Sequence, residues 1–463
     1  MLSAAQSNQL PTQRVGTRMT ASGVTFYDTL PVGKGVKYTN CALWQYISAD
    51  YADPFVFLLR NRCNLRIKRF PGPILGSNCM SHTIPSLTSM LEALIATPSV
   101  SSVNPGLDQS NQAVIDLLAD WLEAAGFRTE LMEVPDRPGK VNLIATLGTG
   151  PGGLVLAGHT DTVPCNPERW SHDPFRLTED HGRLYGLGTS DMKSFLGIAI
   201  EATKGLRAQD LGRPLVILAT ADEESSMSGA RALAHAGRPS GRYALIGEPT
   251  GLSPVRLHKG VMGEAIRLTG RSGHASEPSL GRNALDGMQE IMGDLMAWRE
   301  ALERRYHHPA FALPSPTLNL GYIHGGDNFN RICDNCELHL DLRVLPGMKT
   351  EDLRSELTNR VAAIAGRRGL AWEVEPLFAS IPPAETPRES AIVKAGELLT
   401  GHAAEAVSFG TEAPFFNQLG METLILGPGN LAQAHQPDEY LEVGRIPRTL
   451  ELLRGMIRRF CEA

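Results

Sequence analysis

The chain has 463 residues, with 44 Lys and Arg against 50 Asp and Glu and a formal net charge of −6. That length suffices for two or three domains with their own cores, and so mild an acidic balance excludes a surface built for nucleic acid. No apolar run approaches the roughly 18 residues that span a bilayer, and the run at residues 55–59 is far too short. Seven cysteines, an odd number without framework spacing, fit free thiols in a reducing compartment, so a cytoplasmic protein with no membrane partner is expected. Cys333 and Cys336 have metal-like spacing, but no second pair accompanies them and they interrupt a strand pattern, so no zinc knuckle is expected.

Residues 1–83 stand apart. The first 80 hold nine Lys and Arg against three Asp and Glu, many aromatics and three of the seven cysteines, with no sustained period of helix or strand. Basic, acid-poor composition can mark an organelle transit peptide, yet the stretch is long and lacks a clear amphipathic helix. It is read as an extension ahead of the natural start at Met80, non-native or disordered and dispensable.

From Ser86 the pattern is regular. Residues 86–97 and 110–125 read as helices, the second closed by Gly126, and strands follow at 128–133, 142–147 and from 154. A hairpin is expected within 175–185 around Asp180-His181-Gly182. A helix at 192–206, a buried strand at 214–220, a helix at 228–236 and a strand at 243–246 complete the run. Strands alternating with helices imply a mostly parallel sheet covered on both faces. Near Lys259 the texture changes to strand 263–268, helix 283–304, strands 317–323 and 337–344, helix 351–365 and strand 371–374, the β-α-β-β-α-β order of a ferredoxin-like unit. Alternation then resumes with helix 390–399, strand 423–426 and helix 447–461. The expected fold is α/β: a catalytic domain of residues 84–258 and 375–463, interrupted by an α+β lid of residues 259–374.

Polar residues gather where these strands end. The apolar run Leu154-Val155-Leu156-Ala157 leads into Gly158-His159-Thr160-Asp161. The C-terminal edge of an open α/β sheet is where ligands bind, and a histidine with a nearby carboxylate suits a metal ligand and the partner that orients it. Asp191, Glu223, Glu224, Glu248 and His435 occupy comparable positions. Two histidines with carboxylates from separate strand ends make two N/O sites for divalent cations, and a carboxylate left over would sit between the cations. Adjacent Glu223 and Glu224 leave their loop in different directions, so one can ligate while the other faces a water as general base. Ser190-Asp191-Met192-Lys193 matches the Ser-x-x-Lys of penicillin-recognising hydrolases, but the companion motifs are absent. Gly186-x-Gly188 fails as a dinucleotide loop because Asp191 stands where glycine is required. His307-His308 has no partner ligands near it in sequence and reads as a solvated helix end.

The motifs Gly158-His159-Thr160-Asp161-Thr162-Val163-Pro164, Gly188-Thr189-Ser190-Asp191-Met192-Lys193, Thr220-Ala221-Asp222-Glu223-Glu224 and Gly247-Glu248-Pro249 resemble those of the dinuclear-zinc aminoacylases, deacetylases and carboxypeptidases. The stretches His324-Gly325-Gly326-Asp327, Gly410-Thr411-Glu412-Ala413-Pro414 and Ala434-His435-Gln436-Pro437-Asp438-Glu439 extend the resemblance in order to the C-terminus. It implies that His159 and Glu248 hold one metal, Glu224 and His435 the other, and that Asp191 bridges them. By the same resemblance Asp161 orients His159, Glu223 is the base, and the peptide bond after Asp191 is cis. His274 resembles a lid histidine that reaches the scissile carbonyl, often in the partner subunit's site. Asn330 and Arg343 resemble residues that grip a substrate carboxylate, and Thr411 and Glu412 are taken as further substrate contacts. The implied cofactors are two divalent ions, zinc with cobalt as the alternative, and the implied assembly is a homodimer. The implied substrate is a small N-acyl amino acid: residues 324–333 and 410–414 favour N-acetylornithine, and so arginine biosynthesis, over N-succinyl-diaminopimelate or the substrates of a broad-specificity aminoacylase or dipeptidase of the same fold.

Overall fold

The computed structural model describes residues 57–61, 64–68 and 83–462. The chain divides into two compact units, Met1–Cys79 and Met80–Ala463. In the first, β1 (Phe57–Asn61) and β2 (Asn64–Lys68) pair antiparallel, strands that the sequence reading does not foresee. The remainder of the expectation for residues 1–83 falls outside the described residues.

In the second unit α1 (Leu87–Ala96) starts where the Ser86 hydroxyl accepts the Ser89 N–H, an N-cap that satisfies a helix-end donor. α2 (Gln112–Ala124) buries Val114, Ile115, Leu118, Trp121 and Leu122 at helical spacing. Then come β3 (Arg128–Glu133), β4 (Val141–Leu147), β5 (Leu154–His159), the hairpin β6 (Thr178–Asp180) and β7 (Arg183–Tyr185), and α3 (Lys193–Thr203). β8 (Leu215–Thr220), α4 (Ser228–Ala236), β9 (Tyr243–Ile246) and β10 (Val255–His258) follow. After a second sheet, β15 (Ala384–Glu385), α7 (Ala391–Thr400), β16 (Glu405–Val407), α8 (Ala413–Gln418), β17 (Glu422–Ile425), β18 (Tyr440–Glu442) and α9 (Arg445–Phe460) close the chain.

The large sheet runs β15-β10-β17-β9-β5-β8-β4-β3, with β16 beside β10. Its centre, β17-β9-β5-β8, is parallel as expected, whereas β3 and β4 on one side and β10 and β15 on the other join antiparallel. Every residue of β5 is buried. Leu154 and Leu156 pack in one apolar cluster with α1, α2, α3, α7 and α9, and Val155 and Ala157 in another with α4 and α8. Helices therefore cover both faces, which is why the strand is an unbroken apolar run. Each leucine so buried contributes about 1.5–3 kcal/mol.

The second sheet comprises β11 (Gly260–Thr269), β12 (Thr317–Gly325), β13 (Asn335–Val344) and β14 (Ala371–Pro376), with α5 (Ala284–Arg305) and α6 (Thr350–Arg368) between them in sequence. Its order β12-β13-β11-β14 is wholly antiparallel, the ferredoxin-like arrangement read from the element order. Its core packs under α5 and α6. The other face carries ion pairs such as Arg267 with Glu337 and Glu375.

Candidate metal centre

Because β8, β5, β9 and β17 are parallel neighbours, their C-terminal ends open on one edge of the sheet. β5 ends at His159, the chain leaving β8 carries Glu223 and Glu224, and the chain leaving β9 carries Glu248. His435 follows β17 on a longer loop. Asp191 arrives just before α3, and the peptide bond between Asp191 and Met192 is cis.

Two groups of three result. His159, Asp191 and Glu248 each bring one donor atom within 4.8 Å of the others, and so do Asp191, Glu224 and His435. Asp191 belongs to both, with Oδ1 3.2 Å from Nε2 of His159 and Oδ2 3.6 Å from Nε2 of His435. His435 Nε2 in turn lies 3.0 Å from Oε2 of Glu224. One oxygen toward each histidine is the disposition of a carboxylate shared between two cations.

The donor set fits divalent metal. Oε1 of Glu224 and Oε1 of Glu248 are buried with no hydrogen-bond partner among the described residues, a state that costs about 1–3 kcal/mol per group and that a bound cation would relieve. Burial raises Glu223 and Glu248 well above the ordinary glutamate range, and the charges of Glu248 and Asp191 respectively push them further. Burial and Asp191 raise Glu224 as well. Burial alone would lower His159, but its bond to Asp191 and the charges of Glu223, Asp161 and Glu248 carry it well above 6.5. The bond to Glu224 pushes His435 up to about 9. Carboxylates crowded in this way repel one another, and positive charge placed between them inverts these shifts.

Asp161 is buried beside His159, but its carboxylate oxygen stands 3.8 Å from the ring Nδ1. The ring instead meets the Asp161 main-chain carbonyl, at 2.9 Å. The carboxylate accepts the main-chain N–H groups of Glu223 at 3.2 Å and Glu224 at 3.0 Å. So the residue expected to orient the histidine also ties down the turn that carries both glutamates.

Residues 155–459 match the model of Peptidase family M20/M25/M40. The chain belongs to this family of hydrolases. An acetylornithine deacetylase of Edwardsiella ictaluri (strain 93-146) is 50% identical over 383 residues, 83% of this chain and 100% of that protein. Another, of Proteus mirabilis (strain HI4320), is 49% identical over 386 residues, 83% and 99% of the two. The solved M20-family metallo-carboxypeptidase of Sulfolobus solfataricus matches with a TM-score of 0.64 at 17% identity, covering 81% of this chain and 99% of that one, a likeness of fold.

The remaining residues expected from the resemblance to this family stand outside the two donor groups. His274 and Asn330 come together on the lid: Ala275 N–H donates to the Asn330 carbonyl, and His274 bridges to Arg331. The His274 ring bonds the Ser276 hydroxyl at 2.8 Å. Arg343 pairs with Asp341 at 2.9 Å. Thr411 and Glu412 are fully buried. Glu412 accepts a bond from Thr220 at the end of β8 at 3.0 Å, and burial pushes its pKa up to about 7. Its charge helps raise Glu223 and Glu248, so it lies close to both. The sequence reading also leaves Glu439 without a part. Its Oε1, buried, accepts the N–H groups of Gly188, Ser190 and Asp191 at 3.1, 2.7 and 3.0 Å, joining the His435 loop to the Asp191 loop. Its place four residues after His435 in the motif is the only local signal.

Proposed function

We propose that the chain hydrolyses N-acetyl-L-ornithine to L-ornithine and acetate, a step of arginine biosynthesis, in the cytoplasm and as a homodimer. The observation that carries this reading is the half identity, over their whole length, to proteins named acetylornithine deacetylase. The residue sets support it: His159 and Glu248 would hold one cation, Glu224 and His435 the other, and Asp191 both. Zinc is the expected metal, with cobalt the alternative. Two such ions, when bound, lower the pKa of a water towards about 7 and polarise the acyl carbonyl.

An amide also has a poor leaving group, so the chain itself must move a proton. Glu223 takes it from the attacking water and returns it to the departing nitrogen, a role typically contributing about 10²–10⁴-fold in rate. Asp161 aims the glutamates through their main-chain N–H groups. From the lid of the same or the partner subunit, His274 donates to the developing oxyanion, and Asn330 and Arg343 grip the substrate carboxylate. Thr411 and Glu412 support the floor of the centre. In domain terms, residues 84–258 and 375–463 form the catalytic part, and 259–374 the lid.

The test is a comparison of kcat/KM for N-acetyl-L-ornithine, N-succinyl-diaminopimelate and simple dipeptides on metal-loaded protein. Acetylornithine should lead. Faster turnover of either competitor would overturn the substrate assignment and leave the metal centre standing.

A further inference from the structure

Behind the turn that carries the two glutamates lies a buried charge cluster. Lys140, one residue before β4, is 3% exposed. Its Nζ lies 2.7 Å from Oδ1 of Asp108 and 2.7 Å from Oδ1 of Asp222. Asp222 immediately precedes Glu223 and has a φ of 59°, a left-handed conformation that a non-glycine residue keeps only when its surroundings impose it. Those surroundings are visible. Oδ1 also accepts from the Ser101 hydroxyl at 3.0 Å, and Oδ2 from the Ser228 hydroxyl at 2.9 Å. The Asp222 carbonyl accepts the N–H groups of Ser226 and Met227 at 3.1 and 2.6 Å. Ser101 further bonds Ser225 across the same turn at 2.6 Å.

An ammonium buried between two carboxylates is a weak source of stability, since apolar replacements of such groups are often neutral or better. Its fixed directions and short distances instead constrain geometry. Asp161 holds the main chain of Glu223 and Glu224 on one side, and Lys140 holds Asp222 on the other.

We propose that Lys140 is a positioning residue for the reaction: by clamping Asp222 in its left-handed turn it sets the direction in which the Glu223 carboxylate points, while touching neither substrate nor cation. Asp108 is the counter-charge that lets the ammonium remain in the interior. The proposal rests on the reading of Glu223 as the proton-transferring base.

Lys140→Met should lower kcat by about 10–100-fold, part of the factor a base supplies, with KM within about threefold. Bound metal, measured by elemental analysis, should stay at its unsubstituted stoichiometry. Lys140→Arg, which keeps the charge, should recover most of the loss. In a Glu223→Gln background the same Lys140→Met change should alter kcat by less than about twofold, because an aim already useless cannot be spoiled again. An equal loss in both backgrounds, or loss of metal, would overturn the proposal while leaving Glu223 as the base. Near-normal kcat for Glu223→Gln alone would sink that reading and this one together. If Lys140→Met fails to fold, Ser228→Ala removes one donor from the Asp222 carboxylate. It should cost a few-fold in kcat with the same dependence on Glu223, and an unchanged kcat would count against the clamp.

Discussion

Glu223 and Glu224 are neighbours in sequence with different surroundings. Glu224 points an oxygen at His435, 3.0 Å away, whereas Glu223 belongs to neither group of metal donors. Glu223→Gln should therefore keep metal and KM but reduce kcat by at least about 10²-fold, while Glu224→Gln should weaken metal binding, read by titration calorimetry. Metal loss from Glu223→Gln would reverse the two roles. A second residue governs acid stability. His258 is fully buried, with Nδ1 on the Lys259 carbonyl at 2.8 Å and Nε2 without a partner among the described residues, and burial lowers its pKa to about 4. Below the ordinary value of 6.5 the unfolded chain takes a proton that the folded chain refuses. Stability therefore falls as pH drops through that point and levels off near 4, by up to about 3 kcal/mol. Urea unfolding at pH 7 and pH 4.5 should show a smaller acid loss for His258→Asn, and an equal loss in both proteins would refute the assignment.

At the scale of elements, the ligands are held by main chain packed on main chain. The turn Gly427-Pro428-Gly429 after β17 has no room for a side chain at either glycine: a Cβ on Gly427 would lie 2.1 Å from the Gly247 carbonyl oxygen and 2.5 Å from that of Glu248. One on Gly429 would lie 2.1 Å from the Ser190 carbonyl oxygen. This turn braces the segments that present Glu248 and Asp191. Gly427→Ala should cost about 1–3 kcal/mol by overpacking and weaken metal binding as Glu248 shifts. Gly366, inside α6, has nothing within 4 Å of its would-be Cβ, so Gly366→Ala should be neutral or stabilising by about 0.5–1 kcal/mol. Thermal melts of both variants decide the matter: equal shifts would mean that the glycine turn does not brace the site.

Over the whole molecule the ligands come from the large sheet, while His274 and Asn330 come from the smaller one. β12 is an edge strand of that smaller sheet, and Tyr322 and Ile323 on it are about half exposed. An edge with apolar side chains is a surface that natural proteins cover, which supports a dimer formed through the lid. Light scattering at micromolar concentration should return twice the chain mass, and a monomer would remove that dimer. No described helix is long and apolar enough to cross a membrane. A chain beginning at Met80 retains the whole second compact unit and every residue assigned above, so it should keep its folded stability and its activity. Loss of either would show that the preceding segment contributes.

The sequence alone determined the central strands, most of the helices, the β-α-β-β-α-β order of the lid and the polar residues at the strand ends. Burial on both faces demands an unbroken apolar run such as Leu154-Val155-Leu156-Ala157, and a single covered face imposes a period, so these are written in neighbouring residues. β10, β15, β16 and β18 have two to four residues, too few to show any period. Tertiary structure alone decided which polar atoms meet. Asp161 stands two residues from His159, yet its carboxylate serves a turn sixty-two residues away. Glu439 bonds Asp191 across 248 positions, Lys140 reaches Asp222, and Glu412, polar and set in a motif, is buried against Thr220 at the end of β8. Periodicity reports which face of an element leaves water. A hydrogen bond between distant segments depends on how the elements carrying them are packed, and no run of adjacent residues encodes that.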